Sequence, residues 1–302
     1  MRHSQHGTGL VEELIGALED TLGDRELKAD KVAIGVFYTA VELNTGHTGI
    51  AFTPVREIPE AVCCPRSASR MPAAGHLAGA SAWDLLNYAR SDGPLKISVG
   101  IAALNALSAL AMEAESGHYQ ILRGADALDV AQARSDDRVA LVGAFVPFIK
   151  KLNGQVSNLV VLEKNPQALK ADEMYLYRPA EEAPDVLPKA DVVIISGSAI
   201  VHRTLEYLLS LCTSAREVVV AGPTASMRPE PLFSRGVTVL GGISINDGDE
   251  MVRLVAEGGS GYFFGGCAEK VVVVPGFHPG LVPQQGRGYH TIDSEGRGAH
   301  GD

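Results

Sequence analysis

The chain has 302 residues, of which 46% are hydrophobic and 21% charged, with a formal net charge of −10 and a pI near 5.4. Such a composition suits one large globular domain or two ordinary ones with a sizeable core. The acidic balance and the absence of a Lys/Arg-rich run exclude nucleic acid or an anionic membrane surface as the main partner.

The opening stretch, MRHSQHGTGLVEELIGAL, has no apolar segment of signal-peptide type. No run of roughly 18 apolar residues is evident, so no membrane span is expected. The cysteines are Cys63, Cys64, Cys212 and Cys267. They form no C-x-x-C pair, and reduced thiols in a cytoplasmic protein are expected.

Leu10, Leu14, Leu18 and Leu22 recur at helical spacing and predict an amphipathic helix. Lys31–Leu43 is β-branched and aromatic, and His47–Val55 is strand-like again. Asn44-Thr45-Gly46 between them predicts a hairpin, giving two strands. A loop bearing Pro, Gly and Ser runs from Pro54 towards Gly75. Helices follow near His76–Ala89 and Ile97–Glu115, and the second is apolar nearly all round, hence buried.

A polar linker, Asp129–Arg138, marks a change of rhythm. Beyond it, strands at Val139–Val142, Asn158–Leu162, Asp191–Ile195, Glu217–Ala221 and Val237–Leu240 alternate with helices. These lie near Phe145–Lys151, Ile200–Cys212, Pro229–Arg235 and Asp247–Glu257, a rhythm that implies parallel strands with right-handed crossovers. Glu269–Gly276 adds an edge strand. The last stretch is rich in Gly, His and polar residues and reads as a disordered tail. The expected fold class is α/β. A small α+β unit over residues 1–130 precedes a doubly wound, mainly parallel sheet over 131–275, and the tail covers 276–302.

Ligands of open parallel sheets bind beyond the carboxyl ends of the strands. Here those ends carry Gly143-Ala144-Phe145, Glu163, Ser196-Gly197-Ser198 and Gly222-Pro223-Thr224. Gly143 suits a tight turn with close backbone approach, or serves helix–strand packing. A dinucleotide fingerprint has three glycines where this turn has one, and Phe145 and Pro147 fill space. A flat heteroaromatic or adenosyl-type body therefore fits better than a pyrophosphate. Glu163 stands about twenty residues past Gly143, the spacing of a ribose-binding acid. A solvated residue opening the turn before Pro166 is the alternative.

Hydroxyl and N–H groups at Ser196–Ser198 and Thr224, backed by two helix starts, suit a carboxylate or other anion. Ordinary N-capping is the competing explanation. From the N-terminal half, Arg66 and Arg70 could clamp a carboxylate or phosphate, or lie solvated. Asn105 interrupts an apolar helix and must find hydrogen-bond partners there or face a crevice between the halves. Cys63-Cys64 could bind a soft metal, although no second Cys/His pair at zinc spacing accompanies them. No G-x-S-x-G elbow, H-E-x-x-H, P-loop or EF-hand pattern occurs.

The stretches SVGIAALNAL, VALVGAFVPFIKKL, VVLEKNP, DVVIISGSAIVHRTLEYLL, VVVAGPTASMRPEPLFSRGVTVLGG and INDGDEMVRLVAEGG together resemble the DUF364 proteins, also called heavy-metal chelatases. The resemblance implies an enolase-N-terminal-like DUF4213 domain followed by a Rossmann-like domain, with a site where the two meet. It implies condensation or hydrolysis in making pterin-, flavin- or siderophore-like molecules, or the handling of chelated heavy metals. The matching positions are Asn105, Gly143, Phe145, Pro147, Glu163, Ser196, Gly197, Ser198, Gly222, Pro223 and Thr224. The expected ligand is a small heteroaromatic molecule or a metal chelate. A heavy metal or an adenosyl- or pterin-like group is the expected cofactor, and a homodimer the expected assembly. A non-catalytic metallochaperone and an S-adenosylmethionine-dependent methyltransferase are the alternatives.

Overall fold

The computed structural model describes residues 9–23, 25–58, 72–115, 117–276 and 278. They form two compact units, each assembled from several chain segments. The first takes the described residues of Met1–Gly117 together with Ser226–Leu232 and Ser244–Glu269. The second takes those of His118–Ala225, Phe233–Ile243 and the chain from Lys270 onward.

In the first unit, helix α1 (Leu10–Leu22) buries Leu10, Leu14, Leu18 and Leu22, the stripe that its spacing predicts. The sheet of this unit is antiparallel, in the order β1 (Ala29–Ile34), β2 (Tyr38–Leu43), β3 (Thr48–Phe52). Helix α2 (Ala82–Asn87) leads into α3 (Pro94–Ala114), which packs on α1, β2 and β3. Alternation along β2 puts Val41 and Glu42 on opposite faces. α3 covers the face bearing Gly49, the partner of Val41, while helix Gly248–Ala256 lies over Glu42 and Thr48 on the other.

Three strands stand where two were expected. The apolar run Lys31–Leu43 is interrupted at Gly35, whose N–H donates to Tyr38 O at 2.9 Å and turns the chain back through Val36 and Phe37. The helix expected from His76 begins only at Ala82, because Ser81 Oγ accepts the Trp83 N–H at 3.3 Å and caps it there. α3 is buried, as its apolar sequence predicts. By length and composition it is long and apolar enough to cross a membrane, yet 83% of its most apolar window is buried inside the protein. Two of its polar side chains tie it to β3: Ser98 Oγ donates to Phe52 O and Asn105 Nδ2 to Ile50 O, both at 2.8 Å.

The second unit is organised by a mixed sheet. Its strands are β4 (Tyr119–Arg123), β5 (Arg138–Val142), β6 (Asn158–Glu163), β7 (Tyr177–Pro179), β8 (Val192–Ser196), β9 (Glu217–Ala221), β10 (Val239–Ile245) and β11 (Ala268–Pro275). Their order is β4-β11-β10-β9-β8-β5-β6-β7. The run from β10 to β7 is parallel throughout, and β11 is antiparallel to β4. Val139, Leu141, Val161, Ile194, Val219 and Val239 supply its core, the continuous apolar pattern of strands buried on both faces. The chain is thus α/β, as its rhythm predicts, with a mainly parallel sheet and a small antiparallel one.

Several local expectations change. β4 and β7 are additional strands, and β4 covers β11, which is therefore one strand in from the edge. Overlapping the start of the expected linker, helix α4 (Ala127–Ala131) forms because Asp126 Oδ1 accepts the Leu128 N–H at 3.1 Å. The expected helix Ile200–Cys212 is two short ones. The chain breaks at Arg203, which has a left-handed φ of 55°. Of the expected tail, only Gly276 and His278 fall among the described residues; His278 Nε2 lies 3.2 Å from Glu217 Oε2.

Candidate functional site at the strand ends

The parallel sheet reverses direction of growth at β5. From there β6 and β7 are added on one side, then β8, β9 and β10 on the other. The gap beyond the carboxyl ends of β5 and β8 is therefore the topological switch point, where open α/β sheets hold ligands.

Gly143 closes β5. Its φ is +95°, and a Cβ built on it would sit 3.1 Å from Ser196 Cβ at the end of β8. The turn needs glycine both for that backbone conformation and for the close approach of the two strand ends. Ser196 Oγ lies 3.0 Å from Ser198 Oγ, so the hydroxyls form a pair just beyond β8. Gly197 N–H donates to Ala221 O at 2.8 Å, and Gly222 N–H to Gly241 O at 2.9 Å. These bonds step the rim across to β9 and β10. A Cβ on Gly197 would meet Ala225 N at 3.1 Å, which fixes the turn Pro223–Ala225 against the serine turn.

Glu163 joins this rim from β6. Its Oε2 accepts the Ala144 N–H at 2.8 Å and its Oε1 accepts the Asn165 N–H at 3.0 Å. Both oxygens thus already hold backbone donors, one from the turn after β5 and one from its own. Phe145 caps the helix that follows, α5 (Val146–Leu152), and its ring packs on Phe148 at 4.3 Å between centroids. It is anchored to the sheet's core rather than standing free.

The structure therefore brings together Gly143, Glu163, Ser196, Gly197, Ser198 and Gly222 along one contiguous rim. Thr224 is in the adjoining turn but only 2% exposed, and Pro223 beside it is half-buried. The anion site expected from two helix starts is weakened, since the helix at Ser198 ends at Val201 after a single turn. Asn105 belongs to the core of the first unit, 1% exposed and bonded to Ile50 O. Arg66, Arg70, Cys63 and Cys64 lie outside the described residues. The sequence offered no sign of Asn165 or Ala144 as partners of Glu163, because both act through backbone N–H groups that any residue supplies.

Residues 126–274 match the profile of DUF364 and residues 15–108 that of DUF4213, each described as "Putative heavy-metal chelation". The chain belongs to the DUF364 family. A DUF364 protein of Pyrococcus horikoshii superposes with a TM-score of 0.71 at 21% identity, covering 87% of this chain and 99% of that one. One from Desulfitobacterium hafniense gives 0.67 at 21% identity, covering 87% and 98%. Both are proteins with unknown function, and at that identity they show the fold alone. An uncharacterized protein of Methanocaldococcus jannaschii is 27% identical over 192 residues, 62% of this chain and 69% of its own length.

Among the described residues of this DUF364 protein, no group of three or more His, Cys, Asp or Glu side chains converges as a bare metal ion requires. The two described cysteines are poor thiolate donors. Burial pushes the Cys212 thiol up to about 11, and its Sγ donates to Leu208 O. Burial, and then the charges of Glu250 and Asp247, push the Cys267 thiol up as well. Because the thiolate is the reactive form, iodoacetamide at about pH 8 should leave both unlabelled in the native protein. Peptide mass spectrometry checks this, and rapid native labelling of either would contradict their placement.

Proposed function

We propose that the protein binds a compact heteroaromatic or metal-chelating organic molecule at the rim formed by the ends of β5, β6, β8 and β9, and that a heavy metal arrives there as its complex. The observation that carries this reading is the meeting of Gly143 with the Ser196–Ser198 hydroxyl pair at the switch point of the sheet. A hydroxyl pair and short turns suit the hydrogen-bonding edge of a small planar ligand. The description attached to both matching profiles supports a metal connection. The lack of a converging donor group among the described residues favours a chelated metal over a bare ion at this rim. The methyltransferase alternative draws less support, since the turn after β5 has the single glycine Gly143 followed by the bulky Phe145, where an adenosyl-binding turn is glycine-rich.

Native mass spectrometry and elemental analysis of the untagged full chain test the reading. An organic mass, alone or with stoichiometric metal, is expected on the wild type. The double variant Ser196→Ala, Ser198→Ala should bind it about tenfold more weakly with little change in melting temperature. Stoichiometric metal without an organic mass, undiminished in that variant, would defeat the proposal.

A further inference from the structure

The turn after β5 carries its own anion. In parallel α/β sheets a strand-to-helix turn usually presents free N–H groups, which is what lets it hold a phosphate. Here the donors of Gly143, Ala144, Phe145, Phe148 and Ile149 are all used within the chain. Gly143 N–H goes to Leu162 O at 2.9 Å, Phe145 N–H to Gly143 O at 2.8 Å, and Phe148 and Ile149 N–H both to Phe145 O. Pro147, in the first turn of α5, has no N–H to give. Ala144 N–H points at a carboxylate oxygen of Glu163, 2.8 Å away.

We infer that Glu163 is the specificity-determining residue of this rim: it occupies the place of a bound phosphate at the β5 turn and restricts the site to ligands that bring no phosphate there. The inference rests on the proposed rim as the binding site and narrows its ligand to molecules that present a neutral or cationic group at that turn. Two bonds hold the carboxylate in place, since Asn165 N–H takes its second oxygen at 3.0 Å. An entering phosphate must either expel a group tethered to the adjacent strand or sit beside a like charge. Both are unfavourable, and the second is repulsive at any separation within hydrogen-bonding range. The single glycine and bulky Phe145 act in the same direction, because they do not allow the close backbone approach that a glycine-rich turn gives a diphosphate. A neutral ring edge or a cationic nitrogen, in contrast, meets carboxylate lone pairs that still have capacity to accept.

Inorganic pyrophosphate is the probe, added to the full-length wild type, Glu163→Ala and Glu163→Gln. The readouts are calorimetric affinity and the amide resonance of Ala144. In the wild type, millimolar pyrophosphate should leave the Ala144 amide unmoved. Glu163→Ala frees that N–H and should bind pyrophosphate at least about tenfold more tightly, with a saturable shift at Ala144. Glu163→Gln keeps the size and one acceptor but not the charge, and should gain in the same direction by less. It carries the test if the alanine variant does not fold. A saturable Ala144 shift in the wild type, or a folded variant with no gain, would overturn the inference. The result is independent of whether an organic ligand is found on the protein, so the two proposals fail separately.

Discussion

Replacing Gly49 with alanine should cost at least about 3 kcal/mol of stability, at the upper end of what overpacking produces. An ideal Cβ at this position would stand 2.2 Å from Ala106 N, 2.3 Å from Ala102 O and 2.7 Å from Asn105 C. All three are backbone atoms of α3, so no side chain can rotate out of the way. The helix cannot retreat either. On another side, a Cβ on its own Gly100 would meet Ala89 N at 2.0 Å. α3 is thus seated at backbone contact against both β3 and the turn that follows α2. A single methyl group must displace a buried helix of 21 residues or bend the strand. Thermal unfolding should show a midpoint lower by about 10 °C. Gly16→Ala is the control: it lies on α1 with nothing within 4 Å of its Cβ, so the midpoint should hold or rise. An unchanged midpoint for Gly49→Ala would mean that α3 and β3 are not in backbone contact.

Asn105→Ala should cost about 2–3 kcal/mol. Asn105 is 1% exposed and its Nδ2 donates to Ile50 O at 2.8 Å, within the helical turn that Gly49 abuts. The alanine variant strands the Ile50 carbonyl in an apolar layer and leaves a small void beside it. The same residue matches a position that the family resemblance offered as ligand-binding, so the measurement discriminates between two roles. A structural pin lowers the melting midpoint by about 5–10 °C whether or not ligand is present. A ligand residue leaves the midpoint of the empty protein alone and strips the bound molecule.

Periodicity made the larger part of the fold legible. The leucine spacing of α1, the apolar run of α3 and the strand–helix alternation after Val139 each report a burial pattern that side chains impose directly. What escaped the sequence depends on other things. Gly35 breaks a strand through a backbone bond to Tyr38, and β-branched residues on either side conceal it. β4 and β7 are strands because neighbouring strands pair with them, and their five and three residues carry too little periodicity to announce that.

The rim divides in the same way. Gly143 and the serines were visible because the switch-point rule points to strand ends, and the structure brings them into contact. Glu163 was visible as an acid at the ribose spacing, but its backbone partners were not. A carboxylate bonded to amides of two separate turns is a tertiary fact with no residue signature. Thr224 drew attention by chemistry alone, and its burial within the turn was beyond reach of local sequence.

The chain visits the first unit three times, adding Ser226–Leu232 and Ser244–Glu269 after the second unit has begun. The last visit brings helix Gly248–Ala256, which roofs Glu42 and Thr48 on β2 and β3. A gene cut near residue 117 would therefore encode a sheet with one face bare, and the remaining piece would carry an orphan helix. The boundary between the two family matches, between residues 108 and 126, is accordingly not the only boundary between the compact units. Expressed apart, neither stretch would be expected to reproduce its half of the fold.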